Sequence, residues 1–129
     1  MKRIDLWLDE IEPSANVYTG KGRGWQKYND LKGRYMWIVK IACIKHKPVI
    51  PFRKAFIKVH YFFPDMRRRD PSNYAGKFLF DGLVLGGMIV DDDFKHIKPS
   101  FEANFGCKKS GTKVIIYDLS EVGDRSDSV

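Results

Sequence analysis

Alternating apolar and polar residues predict the strands of this chain. Residues 2–11 and 52–63 alternate with a period of two, which is the pattern of a strand with one buried face. Residues 100–107 and 112–119 are two further strand-like runs joined by the turn sequence KKSG. Because a short glycine-containing link is typical of a hairpin, we expect these last two strands to pair with each other.

Apolar residues at helical spacing predict two helices. Over residues 26–46 they recur at intervals of three and four with lysines and arginines between them, which indicates an amphipathic helix with a basic side. Residues 71–85 predict a second helix that ends at Gly86-Gly87. The order βαβαββ implies an α+β fold, a small two-layer sandwich with helices on one side of a mixed sheet. We expect a single domain over residues 1–120 and a polar tail over residues 121–129.

The second predicted helix carries one polar stripe on an otherwise apolar surface. At about 100° per residue, Asp70, Asn73, Lys77 and Asp81 fall within an arc of roughly 80°. Charged groups among apolar neighbours need partners to offset desolvation, so we expect the stripe to line a cleft. Gly76 interrupts this helix at a cost of about 1 kcal/mol relative to alanine, which indicates either a close approach or a distortion.

Acidic and arginine runs flank this helix. Asp91, Asp92 and Asp93 follow it, and Arg67, Arg68 and Arg69 precede it. Simpler interpretations exist: Asp70 before Pro71 is a good helix cap, Lys77 and Asp81 are spaced for an intrahelical ion pair, and an acidic run is usually a solvated turn. The conjunction of all these groups favours a site for Mg²⁺ or Mn²⁺ facing a phosphate. His96 is a weaker candidate for a phosphate contact.

Charge and composition are compatible with DNA as the partner. The chain has 129 residues and a net charge of +7, and residues 1–60 carry 13 basic against 5 acidic side chains. The glycine-rich segment over residues 12–25 places Lys21 and Arg23 where they can adapt to a phosphate backbone, although a plain connector has the same composition. The N-terminus resembles neither a signal peptide nor a membrane span, and two isolated cysteines fit a cytoplasmic protein.

The motif resembles the RusA-type Holliday-junction resolvases of bacteria and their prophages. The resemblance rests on RRRD, Asn73, Lys77, Asp81 and the pair Asp91-Asp92, together with Pro13-Ser14 and Asn16 near the N-terminus. It covers about residues 4–118. It implies a homodimer that binds four-way DNA junctions and nicks two opposed strands with Mg²⁺ or Mn²⁺.

The resemblance also implies roles for individual residues. Asp70 and Asp92 match the family's metal-binding aspartates, Lys77 matches its active-site lysine, and Asp91 and Asp81 match further acidic positions of the pattern. In the mechanism that we favour, Asp91 helps Asp70 and Asp92 to hold the metal. Arg67, Arg68 and Arg69 would bind neighbouring phosphates, with Asn73, Lys21 and Arg23 as further DNA contacts.

One departure from the family pattern concerns Ser72, which stands where a second aspartate is common. If the chain is extended through residues 69–71, positions 70 and 72 face the same side, and one expected ligand is missing. The alternatives are therefore a branched-DNA-binding protein with weakened or no catalysis and, less favoured, a metal-dependent hydrolase of nucleotides.

Overall fold

Helices and strands follow one another along the chain in the predicted order, with one short helix added near the N-terminus. The structure is a computed structural model, and it describes residues 2–19 and 24–120. The strands are β1 (Arg3–Leu8), β2 (Ala55–Phe62), β3 (Ile97–Asn104) and β4 (Gly111–Asp118), and the helices are α1 (Asn16–Thr19), α2 (Trp25–Cys43) and α3 (Lys77–Leu85). This is the α+β class that the sequence predicts. No helix in the described part of the chain is long and apolar enough to cross a membrane.

The four strands form one mixed sheet in the order β1-β4-β2-β3. Strand β4 is antiparallel to both β1 and β2, whereas β2 and β3 are parallel. The predicted hairpin is therefore wrong, because β2 lies between β3 and β4. The physical reason is burial: β4 buries Val114 and Ile116 completely and takes an inner position, whereas β3 exposes most of its residues and lies at the edge.

The core lies between one face of the sheet and the helices. Alternate residues of β2 are buried, as the period of two predicts. Helix α2 contributes Tyr35, Val39 and Cys43, which are spaced four apart on one side of the helix. A Cβ atom at Gly82 of α3 would lie 2.8 Å from the Cβ of Val39, so this glycine allows α2 and α3 to pack closely.

The predicted helix over residues 71–85 is wrong in its first part. Pro71–Asn73 form a single 3-10 turn, and α3 begins only at Lys77. Gly76 separates the two with a left-handed backbone (φ 77°), which favours glycine because a side chain there meets the backbone. Asp70 and Asn73 consequently do not lie on α3, and the arc computed for the polar stripe does not describe the folded chain.

Gly76 precedes the helix instead of interrupting it, and side chains, not another backbone, approach it closely. A Cβ atom there would lie 2.8 Å from Cε2 of Phe80 and 3.3 Å from Cε1 of Phe101. The backbone of Asp70 is extended, as the following proline predicts, but the 3-10 turn starts at Pro71. The extended backbone therefore stops at Asp70. Ser72 was expected to face the same side as Asp70 because both would lie in an extended segment, and that segment does not reach Ser72.

Candidate active site

An arginine-lined cleft lies where the N-terminal loop meets the segment before α3. Its volume is about 540 Å³, and its lining includes Arg67, Arg68, Arg69, Asp70 and Asn73 from one side and Glu12, Ser14 and Asn16 from the other. The loop is held in place because the backbone N–H of Ala15 donates to the carbonyl oxygen of Asn73 at 3.0 Å. Residues far apart in sequence thus form one cleft rich in cationic groups.

The three arginines differ in how far they are free to contact a partner. The side chains of Arg67 and Arg68 are 80% and 89% exposed, whereas that of Arg69 is 11% exposed. Arg69 stacks on the ring of Phe63 at 4.3 Å and donates to Asp65 at 2.9 Å. Arg69 therefore stabilises the cleft wall, and Arg67 and Arg68 are the arginines best placed for phosphates.

Asp70 opens into the same cleft. Its carboxylate accepts a hydrogen bond from Nε of Arg68 at 3.2 Å, and its side chain is half exposed. It precedes the 3-10 turn, but its side chain makes no capping hydrogen bond. A capping role alone thus does not account for Asp70.

Glu12 is a buried carboxylate that the sequence did not single out. It is only 4% exposed, and its Oε1 accepts the backbone N–H of Leu79 at 2.8 Å. Burial raises the pKa of Glu12 to about 7, although the backbone N–H groups of Leu79, Phe78 and Gly76 favour the charged form. Glu12 therefore satisfies the free N–H groups at the start of α3 from a loop 67 residues away in sequence.

A second group of carboxylates lies where α3 faces the loop before β3. Burial and, after it, the nearby carboxyl group of Asp81 together raise the pKa of Asp92 to about 6. Asp91 interacts with the carboxyl group of Asp92 and accepts the backbone N–H of Asp92 at 2.7 Å. We call Asp81, Asp91 and Asp92 the acidic group. The influence of Asp81 and of Asp91 on Asp92 favours proton or cation uptake there.

Asp93 has a different environment from its two neighbours. Its carboxylate accepts the backbone N–H groups of Lys95 and His96 and contacts the ring of His96. The hydrogen bond from His96 lowers the pKa of Asp93. The solvated-turn interpretation therefore holds for Asp93, and His96 serves that turn.

One lysine contacts the acidic group, and a second lies at the start of α3. Nζ of Lys32, from α2, lies 3.3 Å from Oδ2 of Asp81. Lys77 is the first residue of α3, and its Nζ lies 5.1 Å from the centre of the Tyr28 ring. The intrahelical pair considered for Lys77 and Asp81 does not form, because Asp81 pairs with Lys32.

The predicted site residues occupy two neighbouring places. Asp70, Asn73 and the arginines line the cleft, whereas Asp91 and Asp92 do not. Among residues 2–19 and 24–120, the one trio of potential ligands whose atoms lie within 4.8 Å of one another is Asp91, Asp93 and His96. The set Asp70, Asp91 and Asp92 is thus not gathered into one tight group in the single chain. Lys21 and Arg23 lie outside the described residues.

Glu12 connects the two places. It lines the cleft, and the negative charge of Asp81 contributes to its raised pKa. Sequence reasoning missed both Glu12 and Lys32, since each acts through a partner on a distant element. A lone glutamate at the end of a strand gives no local signal of such a role.

Comparisons with known proteins do not identify a family. No family model matches the chain, and no curated protein matches it.

Proposed function

We propose that this protein is a metal-dependent, structure-selective endonuclease that nicks opposed strands of four-way DNA junctions. The observation that carries the proposal is the acidic group Asp81, Asp91 and Asp92, linked through Glu12 to a cleft lined by exposed arginines. Phosphodiester hydrolysis needs carboxylates for a metal ion and cations for the flanking phosphates. Both are present within one small domain.

The donor set fits Mg²⁺ or Mn²⁺. Hard divalent cations prefer carboxylate oxygens. Burial and the negative charge of Asp81 raise the pKa of Asp92, and a bound cation would offset both effects. Asp92 and Asp91 would hold the ion with help from Asp81. When bound, such an ion lowers the pKa of water and stabilises the leaving oxygen.

Residues of the cleft would position the DNA. Arg67 and Arg68 would bind phosphates beside the scissile bond, and Asn73 would contact the same strand from the cleft wall. Lys77, at the start of α3, would stabilise negative charge on the phosphate as it develops. By the resemblance, Asp70 would complete the ligand set once DNA brings the two places together.

The proposed enzyme acts as a homodimer in the cytoplasm. Two opposed nicks on a two-fold junction require two identical sites in a matching arrangement. Trp37 and Ile41 of α2, with Ile44 directly after the helix, form a stripe opposite the core-facing side of α2, and they are 59%, 50% and 63% exposed. An apolar stripe of this kind is a suitable contact for a second copy. We expect sedimentation to give about twice the chain mass of 15.0 kDa and Ile41→Asp to give the monomer.

A branched-DNA-binding protein that does not cut is the second candidate. It is favoured by Ser72, which offers no carboxylate, and by Asp70, whose carboxylate pairs with Arg68 outside the acidic group. In that case the cleft would recognise junction shape by charge alone.

A gel assay separates these functions. Junction, fork and duplex DNA are each incubated with the protein in Mg²⁺, in Mn²⁺ and with a chelator. The proposal expects nicks in the junction only when metal is present, and junction binding in every condition. Binding without nicks would establish the second candidate, and equal affinity for junction and duplex would contradict structure selectivity.

A further inference from the structure

A second cavity adjoins the arginine-lined cleft. It has a volume of about 320 Å³ and lies between the segment before α3 and the exposed edge strand β3. Phe63, Arg69, Asp70 and Tyr74 line both cavities and form a shared wall. A ligand that fills both would place one part among arginines and the other in this second cavity, which we call the aromatic pocket.

The aromatic pocket is lined mainly by flat rings. Tyr61 and Phe63 are 3% exposed, whereas Phe101 and Phe105 at its mouth are 40% and 39% exposed. The rings of Phe63 and Phe105 lie 5.4 Å apart and tilt by 26°, and those of Tyr61 and Phe101 lie 6.2 Å apart and tilt by 11°. These near-parallel rings at the mouth leave apolar surface on which another flat ring can stack.

One carboxylate completes the lining. Asp70 lies on the shared wall with its side chain half exposed, whereas the carboxylate of Glu102 lies on the other face of the sheet, where it pairs with Lys58 and His60. Carboxylates accept hydrogen bonds from amino groups. A ring that bears an exocyclic amino group therefore suits this pocket better than a plain phenyl ring does.

We propose that the aromatic pocket receives one unpaired nucleobase while the adjoining phosphate lies against Arg67 and Arg68. A nucleotide has this bipartite character, with an anionic phosphate and a flat ring that carries hydrogen-bond donors. Stacking on aromatic side chains is a general mode of binding to unpaired bases. The inference rests on the proposed function in taking DNA as the partner, and it adds that the DNA must present an unpaired base at the site.

The test measures the coupling between one base and one ring, without metal and without cleavage. The probes are a short single-stranded DNA and the same strand with one abasic position, placed at each nucleotide in turn. Wild type is compared with Phe101→Leu and with a matched control, Phe56→Leu, which changes a phenylalanine of β2 that lines neither cavity. Circular dichroism melts check that the variants are folded, and Phe105→Leu replaces Phe101→Leu if the latter is not.

We expect wild type to bind one of the abasic strands roughly 5- to 100-fold more weakly than it binds the intact strand. Phe101→Leu should bind both strands with similar, reduced affinity, because the ring that the base needs is gone. Phe56→Leu should behave as wild type. Equal wild-type affinity for all strands, or equal losses in Phe101→Leu and Phe56→Leu, would overturn the inference, as would tighter binding of a phosphotyrosine peptide.

The two proposals fail separately. If binding depends on the base but the protein never nicks a junction, the base-binding proposal stands and the nuclease proposal is wrong. If the protein cleaves junctions but its binding does not depend on the base, the nuclease proposal stands and the base-binding proposal is wrong.

Discussion

Glu12 shows how one buried carboxyl group couples the fold to pH. Its pKa in the folded protein is about 7, above the ordinary value of 4.5, so the folded state binds the proton more tightly than the unfolded state does. The stability that protonation provides is fully present below pH 4.5 and is lost as the pH rises through about 7. The start of α3, and with it Lys77, is therefore sensitive to pH.

We predict that Glu12→Gln weakens the pH dependence of stability. In wild type, Glu12 should lower the free energy of unfolding by about 2–3 kcal/mol between pH 5 and pH 8, and a glutamine cannot contribute this change. Urea unfolding at the two pH values measures it. Asp92 also has a raised pKa, but it is present in both proteins and does not affect the comparison.

Glu12→Ala separates charge from hydrogen bonding. It should also reduce the pH dependence, but it should cost about 1–3 kcal/mol at both pH values because the N–H of Leu79 loses its partner. A Glu12→Gln protein with the full wild-type pH dependence would show that another group is responsible.

Arg69 and its two neighbours illustrate how far residue type alone predicts a role. The run RRR indicated three equivalent phosphate ligands, but Arg69 stacks on Phe63 and pairs with Asp65. Nothing within the run distinguishes its third arginine, because the distinction comes from Phe63 on the preceding strand segment.

We predict that Arg67→Ala combined with Arg68→Ala weakens junction binding and lowers the slope of log affinity against log salt by roughly 2, since two phosphate contacts are lost. Melting temperature should stay near wild type. Arg69→Ala should instead lower stability by about 0.5–2 kcal/mol through lost stacking. An unchanged salt slope in the double variant would show that these arginines do not contact the DNA phosphates.

At the scale of elements, Gly76 determines where α3 begins. Helical periodicity predicted a continuous helix through this position, because the spacing of apolar residues contains no information on the backbone conformation of a single glycine. The 3-10 turn ends at Asn73, Gly76 has a left-handed backbone, and α3 begins at Lys77. The polar residues of the motif are thereby divided between the cleft and the helix.

We predict opposite effects for alanine at two glycines. Gly76→Ala should destabilise the protein by about 1–2 kcal/mol or more, because the left-handed backbone disfavours a side chain and the new Cβ would meet Phe80 at 2.8 Å. Gly33→Ala is the matched change inside α2, where nothing lies within 4 Å of the new Cβ, and it should stabilise by up to about 1 kcal/mol. Thermal melts measure both, and a neutral Gly76→Ala would contradict the assigned break.

The predicted hairpin failed for a related reason. Strand-like patterns identify β3 and β4, but the KKSG link between them is equally compatible with a crossing over β2. Pairing depends on which strand takes an inner place in the sheet, and β4, which buries Val114 and Ile116 on its core-facing side, takes that place. The sequence of the turn gives no information on this competition, because the competing strand β2 lies much earlier in the chain than the turn.

At the scale of the whole molecule, the sequence predicted the α+β class. Periodicity is a local property, and it located the strands and α2 to within a few residues but placed the start of α3 too early. The site was predicted less completely, because Glu12 and Lys32 join it only through tertiary packing. The separation of Asp70 from Asp91 and Asp92 likewise depends on the break at Gly76.

The acidic group also allows a matched comparison between adjacent aspartates. Asp92 interacts with Asp81 and Asp91, whereas the carboxylate of Asp93 is used by the backbone of its own turn. Asp92→Asn and Asp93→Asn make the same chemical change one residue apart. Only the first should remove a group that holds the metal ion.

The most direct test of the central claim is cleavage of a labelled four-way junction in Mg²⁺ by wild type, Asp92→Asn and Asp93→Asn, with affinity measured on the same samples. Wild type and Asp93→Asn should make paired nicks on opposed strands. Asp92→Asn should make none yet bind at least as tightly, because a negative charge near the DNA has been removed. Cleavage by Asp92→Asn at the wild-type rate would contradict the account.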